Sequence, residues 1–198
     1  ILLSLRRAGD LMIGQLDTVV RFHNLNRLPE LKRCIFSLVE QTYRPLRIIL
    51  TVQRFSEAEI TATRAALAPL LDDEDQIHLA IVNMTDDTPE DGRSVLLNLG
   101  VQEATGRYLA FLDYDDTLYP EAYELLVGQL NKHQAAIAFA SVHIVRMQVY
   151  ERFFYDKEHA PPFVGATLRD LFRHNFCPLH SYVIDRTLVP AELLSFNP

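Results

Sequence analysis

Three carboxylates stand nearly together at Asp113, Asp115 and Asp116, directly after the apolar run from Tyr108 to Leu112. A buried strand that ends on two acids one residue apart delivers oxygen donors onto a loop. Hard divalent cations such as Mg2+ and Mn2+ prefer such donors and complete their shell with water and substrate phosphates. Asp113 and Asp115 are therefore the candidate catalytic and metal-binding residues. The bound cation would offset charge developing on a departing diphosphate. The competing reading is a solvated turn whose carboxylates cap the next helix.

The elements that must position these acids follow from the spacing of apolar residues. Residues 18–22 read as a first strand. Leu31, Cys34, Ile35 and Leu38 recur at helical spacing after Pro29. Residues 46–52 form a continuous apolar run of the kind buried in parallel sheets. Ser56 can cap a helix reaching about residue 71, with Glu57 and Glu59 in its first turn. Residues 77–82 read as a third strand and 94–104 as a helix, with Gly106 placed as a C-terminal cap. Residues 107–112 form a fourth strand, and Pro120 opens a helix with Tyr123, Leu126, Val127 and Leu130 on one face. Residues 136–150 read as strand-rich. Thr167 and Asp170 resemble a capping box for a short helix ending near Arg173, and residues 181–184 read as a last strand.

Strand–helix alternation at this spacing predicts an α/β fold, a Rossmann-like, mostly parallel sheet with helices on both faces. Ligands in such sheets bind beyond the carboxyl ends of the strands. Those ends are the loops at 22–27, 53–56, 83–93 and 113–117.

The bulk properties narrow the function. The chain has 198 residues and a formal net charge of −7, which argues against a nucleic-acid partner, since that needs clustered Lys and Arg. No apolar run is long enough to cross a bilayer. Residues 1–16 read as a flank or linker, and 17–198 as one globular domain. The two cysteines, Cys34 and Cys177, make neither a disulfide framework nor a zinc signature, so a reducing, cytoplasmic setting is expected. A start at Ile1 and an end at Pro198 read as a piece of a longer protein, whose flanks could bring another domain or peripheral membrane association.

Two families place Asp-x-Asp at a strand end. The text Phe111-Leu-Asp113-Tyr-Asp115-Asp-Thr117 resembles the first motif of haloacid-dehalogenase-type phosphatases, where Asp113 would be the phosphoryl-accepting nucleophile. That resemblance covers about ten residues, three strands precede the motif instead of none, and no later adjacent acidic pair follows. A longer resemblance, over residues 19–189, is to family-2-like glycosyltransferases of the GT-A fold. Val19-Val-Arg-Phe-His23-Asn24 resembles the turn after the family's first strand. Ser37-Leu38 with Gln41-Thr42-Tyr43 is similar to its "Ser-Leu…Gln-Thr-Tyr" signature. The most specific block is Asp91-Gly-Arg93-Ser94, Leu97-Asn-Leu-Gly100 and Ala104-Thr-Gly106-Arg107, which runs into Asp113.

The resemblance implies an inverting transfer of a sugar from a UDP-, GDP- or dTDP-linked donor to a saccharide, lipid or protein hydroxyl, using Mn2+ or Mg2+. By match to the motif, Asp115 would coordinate the metal, Asp113 would contact the ribose or the metal, and Asp116 could hold a metal-bound water. Phe22, His23 and Asn24 would line the base pocket, Gln53 and Tyr114 would contact the donor, and Arg93 would reach its diphosphate. The segment around Asn175 and His180 resembles the acceptor side, and the resemblance implies that 17–198 is a nucleotide-sugar-binding domain cut short on that side. Two departures stand out. The second strand ends in Gln53-Arg54 where the family carries an acidic pair, and the general base is expected beyond Pro198. The altered second strand also leaves open a catalytically degenerate GT-A scaffold.

Overall fold

The computed structural model describes residues 12–72, 74–87, 89–143, 146–149, 153–156, 167, 169–170 and 177–197. In chain order the elements are β1 (Met12–Phe22), α1 (Leu28–Val39), β2 (Leu46–Gln53), α2 (Glu57–Leu71), β3 (Ile77–Met84), α3 (Arg93–Glu103), β4 (Gly106–Asp113), α4 (Ala122–His133), β5 (Ile137–Phe139), β6 (Arg146–Val149), β7 (Phe153–Asp156) and β8 (Tyr182–Asp185). Six strands form one mixed sheet in the order β3-β2-β1-β4-β8-β5. The first four run parallel; β8 pairs antiparallel with β4, and β5 antiparallel with β8. β6 and β7 pair separately as an antiparallel ribbon.

The chain order explains where a ligand belongs. From β1 the chain winds outward through β2 and β3, then returns to place β4 on the other side of β1. The carboxyl ends of β1 and β4 therefore flank the point where the winding reverses, and the sheet opens a crevice there.

Alternation along the central strands builds two cores. Val20, Ile48, Leu50, Ala110 and Leu112 face one layer, with Leu31, Ile35 and Leu38 of α1, Leu67 of α2 and Tyr123 and Leu130 of α4. Val19, Ile49, Leu109 and Phe111 face the other, with Leu97 of α3. Helices thus cover both faces, which is why Val19-Val20, Ile48 to Leu50 and Leu109 to Leu112 are consecutive apolar residues rather than alternating with polar ones. α3 lies unusually close to β1: a Cβ built on Gly100 would sit 2.2 Å from Val19 Cγ1.

Several boundaries differ from the sequence reading. β1 starts at Met12 rather than residue 18. Gln15 and Asp17 interrupt the apolar pattern, yet both are buried and bonded: Gln15 Nε2 donates to Asp17 Oδ1 at 2.7 Å, and Asp17 Oδ2 accepts from the Gly106 N–H at 2.8 Å. Gly106 opens β4 instead of capping α3, whose C-cap is Ala104 in an extended conformation. α4 starts at Ala122, after Pro120. Ser56 and Glu59 form the reciprocal capping box at α2, and Thr167 and Asp170 make the matching pair of bonds. The remainder of that predicted short helix lies outside the described residues. Cys34 is buried in the core, as expected of a small hydrophobe.

Candidate active site at the switch point

Residue register brings the first chemical pair together. Arg21, next to last in β1, lies opposite Asp113, last in β4. Arg21 Nε donates to Asp113 Oδ1 at 2.8 Å, and Nη2 donates to the same oxygen. Asp113 Oδ2 has no hydrogen-bond partner among the described residues. The chain then turns at Tyr114 and Asp115, closed by the Asp116 N–H donating to the Asp113 carbonyl at 3.0 Å. The turn projects Asp115 outward, where it makes no ion pair among the described residues.

The segment after the acids is held from α1. The Leu118 N–H donates to Ser37 Oγ at 3.2 Å. Gln41 Nε2 donates to the Tyr119 carbonyl at 2.8 Å, while its Oε1 accepts from the Tyr123 N–H at 3.1 Å. Gln41 is buried, so each of these bonds satisfies a group that would otherwise cost about 1–3 kcal/mol. Ser37 of α1 and Gln41, just beyond its end, therefore fix the exit of the acidic turn.

Arg21, His23, Gln53, Glu90, Asp91, Arg93, Leu96, Asp113, Tyr114 and Asp115 together line a cleft of about 390 Å³. Of the expected donor-site residues, His23, Gln53, Arg93, Asp113, Tyr114 and Asp115 thus meet in one place. Phe22 does not. The pleat that turns Arg21 to the cleft turns Phe22 into the core, where it is fully buried against Phe55 and Tyr114. It supports Tyr114 from beneath rather than lining a base pocket. Asn24 is also engaged elsewhere: its side chain accepts the Asn26 N–H at 3.0 Å and caps a short 3-10 turn. Tyr114 stands edge-on to the His23 ring, with centroids 5.5 Å apart.

Arg93 and Asp91 form a two-bond pair, Nε to Oδ1 at 2.9 Å and Nη2 to Oδ2 at 2.6 Å. Those bonds hold the Asp91 carboxyl down at about 2. Gln53 Nε2 donates to the Glu90 carbonyl at 2.9 Å. Arg54, with a φ of 57°, spreads its guanidinium over the carbonyls of Asp86, Asp87 and Pro89. The two residues that replace an acidic pair therefore organise the loop that carries Glu90, Asp91 and Arg93.

His180 stands beside the same turn, its Nδ1 2.9 Å from Asp116 Oδ2. The hydrogen bond to Asp116 raises the imidazole above its ordinary value, against the opposing effect of burial. His180 and the acidic turn are thus tied together. Asn175, the other expected acceptor-side residue, lies outside the described residues.

The electrostatic balance of the cleft favours a cation. Two guanidinium groups, Arg21 and Arg93, face four carboxylates, Glu90, Asp91, Asp113 and Asp115. Burial, with the charges of Asp116 and Asp113 added, raises the Asp115 carboxyl above its ordinary value. No group of three or more His, Cys, Asp or Glu is gathered for a metal among the described residues. Two carboxylates suffice only for a hard cation that takes its other ligands from phosphate and water, which is the habit of Mg2+ and Mn2+. The donor set fits that use.

Sequence reasoning overlooked Arg21 and Glu90. Arg21 did carry a signal: a cation interrupting the apolar text Val-Val-Arg-Phe, at a strand end predicted to meet ligand.

A family model described as "Glycosyl transferase family 2" matches residues 22–189. Over 114 residues the chain is 27% identical to YibD, an uncharacterized glycosyltransferase of Escherichia coli K12, a match covering 58% of this chain and 30% of that protein. The mannosyltransferase PcManGT of Pyrobaculum calidifontis, solved with GDP-Man and Mn2+, has a TM-score of 0.52 at 17% identity, covering 65% of this chain and 35% of the other. S. aureus TarS 1–349 with UDP gives a TM-score of 0.50 at 14% identity, covering 62% and 34%. At such identities the structural likeness is one of fold. The chain spans about a third of the length of these relatives.

Proposed function

The chain belongs to glycosyl transferase family 2, and on that premise we propose that the cleft between β1 and β4 binds a nucleoside-diphosphate sugar in a metal-dependent, inverting transfer to a hydroxyl acceptor. The observation that carries this reading is the convergence of Asp113, Asp115 and Arg93 on one cleft at the switch point of the sheet. The solved relatives bind UDP or GDP-Man, and one of them holds Mn2+; the corresponding donor here is a UDP, GDP or dTDP sugar.

In this reading Asp113 and Asp115 would hold Mn2+ or Mg2+. When bound, the cation neutralises charge on the diphosphate as it leaves. Without it, a diphosphate would enter a cleft whose carboxylates outnumber its guanidinium groups two to one. Arg93 lies where its fork can trade Asp91 for a phosphate oxygen. His23 and Tyr114 offer ring faces and edges to the nucleoside. Gln53 holds the loop through the Glu90 carbonyl and keeps its amide oxygen and second N–H for the donor. His180 Nδ1 is bonded to Asp116, a contact that orients the ring and leaves Nε2 outside that bond, and the base that deprotonates the acceptor is not assigned among the described residues. A cytoplasmic setting suits soluble nucleotide sugars, and no helix among the described residues is long and apolar enough to cross a membrane.

The test is titration of UDP, GDP and dTDP by calorimetry with and without Mn2+, on the unaltered chain and on Asp115→Asn. Metal-dependent binding of one nucleotide, lost in the variant, is expected. Failure of all three to bind at any Mn2+ concentration would leave a scaffold as the better description.

A further inference from the structure

The Arg21–Asp113 pair has an odd feature for a structural salt bridge. Both guanidinium nitrogens converge on one carboxylate oxygen and leave the other oxygen without a partner among the described residues. The side chains are 16% and 31% exposed, so the pair sits at the cleft wall, shielded from bulk water but open to a ligand. Arg21 also lines the adjoining recess formed with Pro89, Asp91, Arg93, Ser94, Leu97 and Asn197. It therefore borders both the acidic turn and the space beside Arg93, where a diphosphate would lie. A guanidinium bound to Asp113 Oδ1 sets a positive charge beside the other oxygen of the same carboxylate, and that charge opposes a cation there. The same guanidinium, once released, has five donors in a fork suited to phosphate oxygens.

We propose that Arg21 is a stand-in cation: it neutralises Asp113 in the empty site and transfers to the donor's phosphate when the divalent ion takes Asp113. This rests on the donor-site reading above and deepens it by adding a phosphate-binding residue. The exchange keeps the charge on Asp113 compensated at every stage. It also makes metal and nucleotide mutually dependent, because each binds better once the other has drawn Arg21 away or supplied its new partner.

The signature is a crossed effect. Arg21→Gln removes a competitor for Asp113 and a ligand for phosphate together. Mn2+ affinity without nucleotide, read by the electron paramagnetic resonance of free Mn2+, should tighten by about threefold or more. Affinity for the preferred nucleoside diphosphate at saturating Mn2+, read by calorimetry, should weaken by about ten- to a hundredfold, the worth of a charge-assisted hydrogen bond. Arg21→Lys keeps the charge without the fork; it should leave Mn2+ affinity near that of the unaltered chain and weaken the nucleotide less than Gln does. If Gln does not fold, as judged by thermal melting, the Lys variant carries the test, with nucleotide weakening at unchanged Mn2+ affinity as the expected result. Parallel loss of both affinities in Gln, or no change in either, overturns the exchange while the donor-site reading stands. No nucleotide binding by the unaltered chain overturns both.

Discussion

The close approach of α3 to β1 makes Gly100 a sharp test of how the site is positioned. In Gly100→Ala the new Cβ would lie 2.2, 2.7 and 3.0 Å from Val19 Cγ1, Cγ2 and Cβ. Carbon atoms in contact prefer about 3.5–4.0 Å, so the two segments must separate by about 1 Å. Val19 is fully buried on a central strand, and its branched side chain has little rotamer freedom with which to yield. Overpacking of this kind costs about 1–3 kcal/mol. Helix propensity offsets part of it, since Ala is better than Gly by about 0.8–1.0 kcal/mol. With overlap this deep the upper end applies, and a net loss of about 2 kcal/mol is expected. Val19→Ala removes the two methyl groups that clash, at a cost of about 2 kcal/mol from lost burial and the cavity left behind. In the double variant the methyl introduced at position 100 enters that cavity, so the combined loss should fall short of the sum by about 1–3 kcal/mol. Urea unfolding followed by far-UV circular dichroism measures all four corners of the cycle. Because Arg93 and Leu96 of α3 line the cleft, the single Gly100 variant should also bind nucleotide more weakly than its stability alone would dictate. Additive losses, or a Gly100→Ala protein more stable than the parent, would refute the packing argument.

Three further outcomes follow from buried polar groups and from the donor loop. Asp17→Ala strands the N–H groups of Thr105 and Gly106 and the amide of Gln15, and should cost about 3 kcal/mol or more by urea unfolding. Asp17→Asn keeps one accepting oxygen for the Thr105 and Gly106 N–H groups and gives up the one facing Gln15 Nε2, so it should cost about 1 kcal/mol and less than Ala; an Asn loss as large as that of Ala would contradict this. Burial pushes the Asp185 carboxyl up, but the Arg107 guanidinium and the Thr187 hydroxyl and N–H outweigh it and hold it below its ordinary value. Its contribution to stability is therefore complete above the unfolded value near about 4 and is lost as pH falls through the lower folded one. Unfolding midpoints at pH 7 and pH 3.5 should diverge less in Asp185→Asn than in the parent, and parallel losses would contradict this. Arg54→Ala releases the carbonyls of Asp86, Asp87 and Pro89. Hydrogen exchange in the 85–91 loop should speed up and nucleotide affinity should fall, while the melting temperature moves little; unchanged exchange would count against the clamp.

Much of the fold and part of the site were legible before any coordinates. Apolar periodicity located the four parallel strands and the helices between them, because a strand covered on both faces must be apolar throughout. β1 was read too short because Gln15 and Asp17 look like surface residues, and only the turn at Thr105 and Gly106, about ninety residues away, explains their burial. Phe22 looked like a base-pocket residue from its place in a motif; the pleat of β1 sends it inward.

By itself the sequence determined the local chemistry: carboxylates at a strand exit and a capping box at the start of α2. Those features depend on neighbours a few residues apart and on which side chains can bury. Tertiary structure alone decided which distant groups meet: that β4 returns beside β1, so that Arg21 faces Asp113, that Gln53 and Arg54 hold the loop carrying Glu90 and Asp91, and that His180 reaches Asp116. Strand order and register set those meetings, and no periodicity along one segment encodes them.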